Sequence, residues 1–405
     1  MRNILVLYNK EGIKNRKNLE DSIFCFEKYD KNDKFYYFNY WRKLDVSTIL
    51  NRYVFDGVIY HYSLMALRYN GEYWNEMLKR IRLIKGIIQA AIVQDEYINS
   101  KSVIDFIIQQ KVNVVFTLAK GKSIRILYPD IPVEFVTVFP GYVDLESLRT
   151  INRLRKEIRD EENTIDIGYR ARKTNYSLGK QGYLKVEVAD IFKKKIYQNN
   201  REIKFDIEMT GDTKNVFMGL DWYRFLIKCR TMLGCLGGAS ILDSNGIIYN
   251  EVNKYIIKKP YATFQEVYDI FLRQFEGNLE YATFSPRFFE CAMTKTCQVL
   301  VEGDYYGIML PDIHYIEVKR DYSNIDEVIM KIMDIKFCEQ IAENAFRDLI
   351  ANNKFTYNCF VNTVINNMFH NSLDDVSKKS KRFLNLELKS YDILLHLKDR
   401  LNTLR

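Results

Sequence analysis

No apolar run in this chain approaches the roughly 20 residues that a helix needs to cross a bilayer. The opening stretch, Met1-Arg-Asn-Ile-Leu-Val-Leu-Tyr8, is strand-like and stops at Asn9, Lys10 and Glu11, too soon for the core of a secretory leader. The seven cysteines, Cys25, Cys229, Cys235, Cys291, Cys297, Cys338 and Cys359, form no C-x-x-C pair and no zinc spacing. Scattered and odd in number, they predict buried thiols in a reducing compartment. No Walker loop, H-E-x-x-H or G-x-S-x-G occurs, and no aspartate pair reads D-x-D. The expectation is a soluble, cytoplasmic protein.

What is present is a globular composition long enough for two domains: 405 residues, 47% hydrophobic and 28% charged. The 29 Tyr and 25 Phe suit stacking surfaces as well as cores, and cores are the commoner use. A net charge of +8 admits nucleic acid, an anionic membrane or a phosphorylated small ligand. Basic residues are dispersed among acidic ones, with the densest runs at Lys193–Lys195 and Lys378–Arg382, which argues against a dedicated nucleic-acid face.

The first half alternates strand and helix. Strands are predicted at Ile4–Tyr8, Phe35–Tyr40, Gly57–His61, Gly86–Val93, Val112–Leu118 and Val133–Phe139, and helices at Asn18–Lys28, Asp45–Arg52, Tyr73–Ile84 and Ser102–Gln110. That order predicts a parallel, doubly wound sheet, whose ligands bind beyond the carboxyl ends of the strands. His61, Asp95, Glu96, Gly141 and Tyr142 stand at or just past such ends. The plain structural role of His61 is a satisfied histidine at a strand end, and that of Asp95 and Glu96 a helix cap with a solvated neighbour. As a set on one rim, a carboxylate or imidazole there suits proton abstraction from a hydroxyl. No G-x-G-x-x-G follows the first strand, so this half makes a poor dinucleotide site.

Leu148–Glu162 is predicted helical and charge-rich, with few apolar anchors at its end, and serves as the expected linker. A strand from Ile165 then runs into the basic turn Arg170, Arg172 and Lys173, suited to neutralising a diphosphate. Further on come a helix at Tyr183–Gln198, strands at Ile203–Met209 and Met232–Leu236, and a helix at Trp222–Cys229. Gly237, Gly238, Ala239 and Ser240 follow the second strand, where two glycines let a ligand or a backbone approach closely. Phe284–Gly303 reads as a Ser-Pro-capped helix carrying Arg287 and Glu290 three apart, followed by a buried strand at Cys297–Val301. The plain reading of Arg287 and Glu290 is a surface ion pair. Helices at Asp326–Met333, Phe337–Asn352 and Thr356–Phe369 precede a last segment, Ser377–Leu404. Its Leu384, Leu388, Tyr391, Leu395 and Leu401 lie near helical spacing, and core packing, a homodimer or an anionic membrane would each suit it.

S-P-R-F-F-E, followed by a small-residue turn and an apolar strand, resembles the second-domain signature of GT-B glycosyltransferases. D-I-G-Y-R-x-R is similar to the domain-opening segment of bacterial surface-polysaccharide glycosyltransferases of capsule or O-antigen type. The resemblance covers most of 165–365, and the first half only by element order. It implies an α/β chain of two Rossmann-like doubly wound domains facing a cleft, here 1–158 and 159–370, with a helical tail over 371–405. It also implies that Glu290 meets the ribose of a nucleotide-sugar donor and that the helix N-terminus faces the phosphates. The first domain would hold the acceptor. Many retaining members carry two glutamates eight positions apart, but here Ala282 stands where the first would be, so the stereochemical outcome is open.

Together these readings predict a metal-independent glycosyltransferase with no cofactor, moving sugar from a nucleotide sugar to a glycan or lipid-linked acceptor. Donor contacts are assigned to Arg170, Arg172, Lys173, Gly237, Gly238, Ser240, Arg287 and Glu290. Gly141 and Tyr142 are assigned to the acceptor side, and the base to Glu96 or Asp95 ahead of His61. Two alternatives stand beside it, a nucleotide-sugar epimerase and a non-catalytic carbohydrate-binding or scaffold subunit. Localisation is expected to be cytoplasmic, with peripheral contact at the inner membrane face or dimerisation as roles for the C-terminal helix. No nucleic-acid partner is expected.

Overall fold

The computed structural model describes residues 1–10, 17–40, 46, 49–50, 53–82, 84–198, 202–210 and 216–370. The helix expected over 45–52 falls mostly outside them. The tail over 371–405, with the membrane or dimer role assigned to it, lies wholly outside. Contacts divide the chain into two compact units, Met1–Val138 with Asn358–Arg405, and Phe139–Tyr357.

Six strands form the sheet of the first unit: β1 (Asn3–Tyr8), β2 (Lys34–Asn39), β3 (Gly57–Tyr60), β4 (Ile88–Ile92), β5 (Val114–Thr117) and β6 (Glu134–Thr137). Their order is β2-β1-β3-β4-β5-β6, and every pairing is parallel. β3 and β5 are buried along their whole length, in keeping with their Val, Ile and Phe content and the absence of charge, whereas the edge strand β6 keeps Glu134 in solvent. The strand order reverses between β1 and β3. Leu7 pairs with both Phe38 and Tyr60 there, so Tyr8, Asn39 and His61 stand level at the ends of the three strands. This is the switch-point rim where doubly wound sheets take ligands.

The second unit contains β7 (Ile165–Arg172), β8 (Phe205–Thr210), β9 (Cys229–Gly234), β12 (Cys297–Val301) and β13 (Ile316–Val318) in the order β13-β12-β9-β7-β8, again all parallel. A small antiparallel pair, β10 (Gly237–Ala239) and β11 (Tyr281–Thr283), brackets a helical segment with its own core of Val252, Phe264, Val267 and Leu272. The strands send alternate residues to opposite faces. Leu233 and Val299 join Val188 and Phe192 of the helix Gly179–Gln198, while Met232 and Leu300 join Leu226 and Phe288 from the helices Leu220–Lys228 and Pro286–Met293. Both units are therefore α/β with parallel sheets, as expected.

The division of the chain differs from the expected boundaries at 158 and 370. The expected linker folds as the helix Leu145–Glu157, and its Ile151 and Leu154 are buried with Tyr223 and Leu226. An i, i+3 apolar stripe is enough to dock a helix whose other faces are charged. At the other end, the helix Tyr357–Phe369 packs on the first sheet. The ring of Phe360 lies 5.9 Å from that of Phe26, and the Arg2 guanidinium stands 4.0 Å over the ring of Phe369. No described helix is long and apolar enough to cross a membrane.

Candidate functional site

The helix Pro286–Met293 is capped by Ser285, whose hydroxyl accepts from the Arg287 N–H at 3.4 Å, with proline in the first turn. Its apolar residues pack inward and carry Glu290 with them, so that this carboxylate is only 7% exposed. The indole N–H of Trp222 donates to Glu290 Oε2 at 2.8 Å. Arg287 donates from Nη2 to the carbonyl of Arg170 at 2.5 Å, and its guanidinium lies 5.6 and 5.4 Å from the ring centres of Tyr169 and Trp222. These two side chains are thus not the exposed ion pair of the plain reading. They form a buried carboxylate and a cation set between two rings, which desolvation penalises unless both are held by partners.

The remaining sequence-derived candidates divide sharply. Arg170 lies inside β7 rather than in a turn. It donates from Nη1 to the carbonyls of Tyr169 and Asp206 at 3.0 and 2.9 Å, and from Nη2 to the Asp206 carboxylate at 2.7 Å. It also stacks on Phe217 and Phe225. Its charge is spent on joining β7 to β8, a correction to its reading as a phosphate ligand. Arg172 and Lys173 are exposed at the end of β7, with no ion pair to any described residue.

Gly238 has φ of +106°, and a Cβ there would meet the carbonyl oxygen of Tyr281 at 1.8 Å. The glycine serves backbone approach across the β10–β11 pair, not ligand approach. Ser240 accepts from the Gln181 N–H at 3.2 Å, and Glu276 from the Lys180 N–H at 3.2 Å, so Ser240 caps the helix Gly179–Gln198. Gly237 stands nearer the chemistry: a Cβ on it would lie 3.7 Å from the ammonium of Lys185.

Sequence reasoning missed Lys185, Gln181 and Arg320. Gln181 donates from Nε2 to the Leu236 carbonyl at 3.0 Å and accepts at Oε1 from Arg320 Nη2 at 3.0 Å. Lys185 is one turn further along that helix, and its carbonyl accepts from Tyr169 Oη at 3.1 Å. Burial pushes the Cys235 thiol up to about 11, and the charges of Lys185, Arg287 and Arg320 pull against that rise. Cations from three elements therefore surround the carboxyl end of β9. None is in a salt bridge with a described carboxylate. Arg320 was findable by the strand-end rule, because it lies two residues past β13. Lys185 carried no signal beyond its place on a helix.

Gly141 and Tyr142, expected on the first rim, belong to the second unit. A Cβ on Gly141 would stand 3.0 Å from the ring of Pro286, and the Tyr142 hydroxyl accepts from the Phe139 N–H at 3.0 Å. Gly141 thus lets the chain pass close to the start of the Pro286 helix.

In the first unit, His61 is 1% exposed and caps the short helix Tyr62–Met65. Its Nδ1 accepts from the Ser63 N–H at 3.2 Å, and Nε2 lies 3.2 Å from Ser22 Oγ. Burial lowers its pKa to about 3. Glu96 is fully buried, accepting from the hydroxyls of Thr117 and Tyr128. Neither is placed as an accessible base, which corrects their ranking. Asp95 is exposed, in the left-handed conformation with φ of +55°. Its carboxylate accepts from Tyr97 Oη at 2.9 Å, and its carbonyl from the buried Arg68 at 2.6 Å. Among the described residues no cluster of three or more His, Cys, Asp or Glu is placed to hold a metal ion.

No protein-family model and no curated protein sequence matches the chain. Among solved structures it is similar to HepE of Anabaena in complex with UDP and glucose, with 11% identity over 92% of this chain and 100% of that one, TM-score 0.48. Sucrose-phosphate synthase from Thermosynechococcus elongatus aligns at 9% identity over 92% of this chain and 100% of that one, TM-score 0.46. TarM aligns at 12% identity over 77% of this chain and 54% of that one, TM-score 0.46.

Proposed function

We propose that the chain is a GT-B glycosyltransferase whose second unit binds a nucleotide sugar. One observation carries the reading: Arg287, Lys185 and Arg320, none in a salt bridge with a described carboxylate, lie near the Cys235 thiol just past β9, and Arg287 shares its helix with the buried Glu290. A nucleotide sugar presents the two complementary chemistries, a diphosphate for the cations and a ribose diol for the carboxylate. During transfer the anomeric carbon–oxygen bond to the diphosphate breaks, and the acceptor oxygen bonds to that carbon. The three cations receive the charge that builds on the leaving diphosphate, so the reading is of a metal-independent reaction. The acceptor hydroxyl gives its proton to a base, and Asp95 replaces Glu96 as the group proposed for it. A glycan or lipid-linked acceptor in bacterial surface polysaccharide synthesis fits the sequence resemblance of Asp166–Arg172.

Thermal-shift measurement against UDP-, GDP- and ADP-sugars tests the reading. A ligand at about 100 times its Kd adds about 2.7 kcal/mol of stability. The expected result is a hit that Glu290→Ala removes; a hit indifferent to that change removes Glu290 from the donor site. The burial of both His61 and Glu96 favours a second reading, a carbohydrate-binding subunit without a working base. That reading predicts donor binding with no release of nucleoside diphosphate at any acceptor.

A further inference from the structure

We propose that Trp222 is a positioning residue that sets Glu290 and Arg287 together and so gives the site its preference for ribose over deoxyribose. The proposal rests on the nucleotide-sugar reading above and extends it to substrate selection.

Trp222 touches both groups in different ways. Its N–H donates to Glu290 Oε2 at 2.8 Å, and its ring lies 5.4 Å from the Arg287 guanidinium. Arg287 is further held by the carbonyl of Arg170 at 2.5 Å and by the ring of Tyr169 at 5.6 Å. Glu290 and Arg287 are on one helix, and Trp222 is on another, Leu220–Lys228. A carboxylate on a flexible side chain has a broad terminal torsion. An indole donor at hydrogen-bond distance narrows it to one orientation, in a setting where the charge is buried and the bond correspondingly strong. A carboxylate held in one orientation forms its best bond to a ligand hydroxyl that lies on that line, and a ligand lacking the hydroxyl forfeits that bond. Freeing the carboxylate blunts that penalty.

The indole N–H and the ring are separable. Trp222→Phe keeps an aromatic face for Arg287 and removes the donor. Trp222→His returns a ring N–H on a smaller side chain.

The experiment is calorimetric titration of the full chain with UDP, ADP and GDP, each paired with its 2′-deoxy counterpart, and with inorganic pyrophosphate. The wild type should prefer one ribonucleotide over its deoxy form. Trp222→Phe should weaken that ribonucleotide more than its deoxy form and so bring the ribo-to-deoxy ratio close to one. Pyrophosphate affinity should be unchanged, because the cations remain. Trp222→His should restore part of the ratio, which separates lost orientation from a loosened fold. A ratio in Trp222→Phe equal to that of the wild type overturns the positioning role while leaving the donor site standing. A wild type that binds none of the three nucleotides overturns the nucleotide reading itself, and this proposal with it.

Discussion

Arg170 and Asp206 are bound twice, guanidinium to carbonyl at 2.9 Å and guanidinium to carboxylate at 2.7 Å, across the two strands that β7 and β8 contribute to the second sheet. The Arg170 side chain is 11% exposed and also lies against Phe217 and Phe225. An arginine so placed is a structural member, whatever its resemblance to a phosphate ligand.

Arg170→Ala and Lys185→Ala should therefore fail in opposite ways. Loss of Arg170 costs about 1–3 kcal/mol, a range set below that for a fully buried pair because Asp206 is partly in water. The unfolding midpoint in urea should fall while nucleotide affinity in the folded protein holds. Loss of Lys185, which has no carboxylate partner among the described residues, should leave the midpoint in place and weaken diphosphate binding by about tenfold. Titrating both variants with the nucleotide that stabilises the wild type, beside their urea curves, decides it. Weak binding in the arginine variant and full binding in the lysine variant would return the phosphate role to β7.

His61 makes stability depend on pH in a defined window. Its folded pKa is lowered by burial to about 3, below the ordinary value of 6.5. Between those values the unfolded chain holds a proton that the folded chain excludes, so stability rises with pH there. The contribution is complete above about pH 6.5 and shrinks as the pH falls toward 3. His61→Asn, which keeps a capping side chain, should flatten urea midpoints measured from pH 7 down to pH 4. An equal slope in wild type and variant would show that His61 does not carry it.

Glu96→Gln and Asp95→Asn should separate packing from chemistry. Glu96 is buried and accepts both hydroxyls at one oxygen, Oε1, so an amide that keeps its oxygen there retains both bonds and loses only their charge-assisted part, at a cost of about 1 kcal/mol. Asp95 is exposed, and its amide should leave the melting temperature within a degree or so, by the rule for surface changes, while abolishing release of nucleoside diphosphate in the presence of acceptor. Turnover preserved in Asp95→Asn removes that residue as the base.

Some of the site was readable from local pattern alone. Ser285-Pro286 announced a helix start, and the spacing of Phe288, Phe289, Ala292 and Met293 announced its inner face. What the pattern could not give was Glu290's partner, because Trp222 is 68 positions away and reaches it only once two helices lie side by side. The two glycines at 237 and 238 were recognised as a place of close approach, but only the β10–β11 pairing identified Tyr281 as what approaches.

The sequence by itself determined the alternation of strand and helix, since a period of two or of 3.6 is written in neighbouring residues and needs no distant contact. It determined the parallel α/β class for the same reason. Tertiary structure alone decided which charges stay available. Arg170 is consumed because β8 lies beside β7, whereas Lys185, Arg287 and Arg320, from three distant segments that strand order brings near the end of β9, meet no acid partner among the described residues. Charge is a property of a residue, but its solvation and its partners are properties of the space around it, and that space is set by strand order.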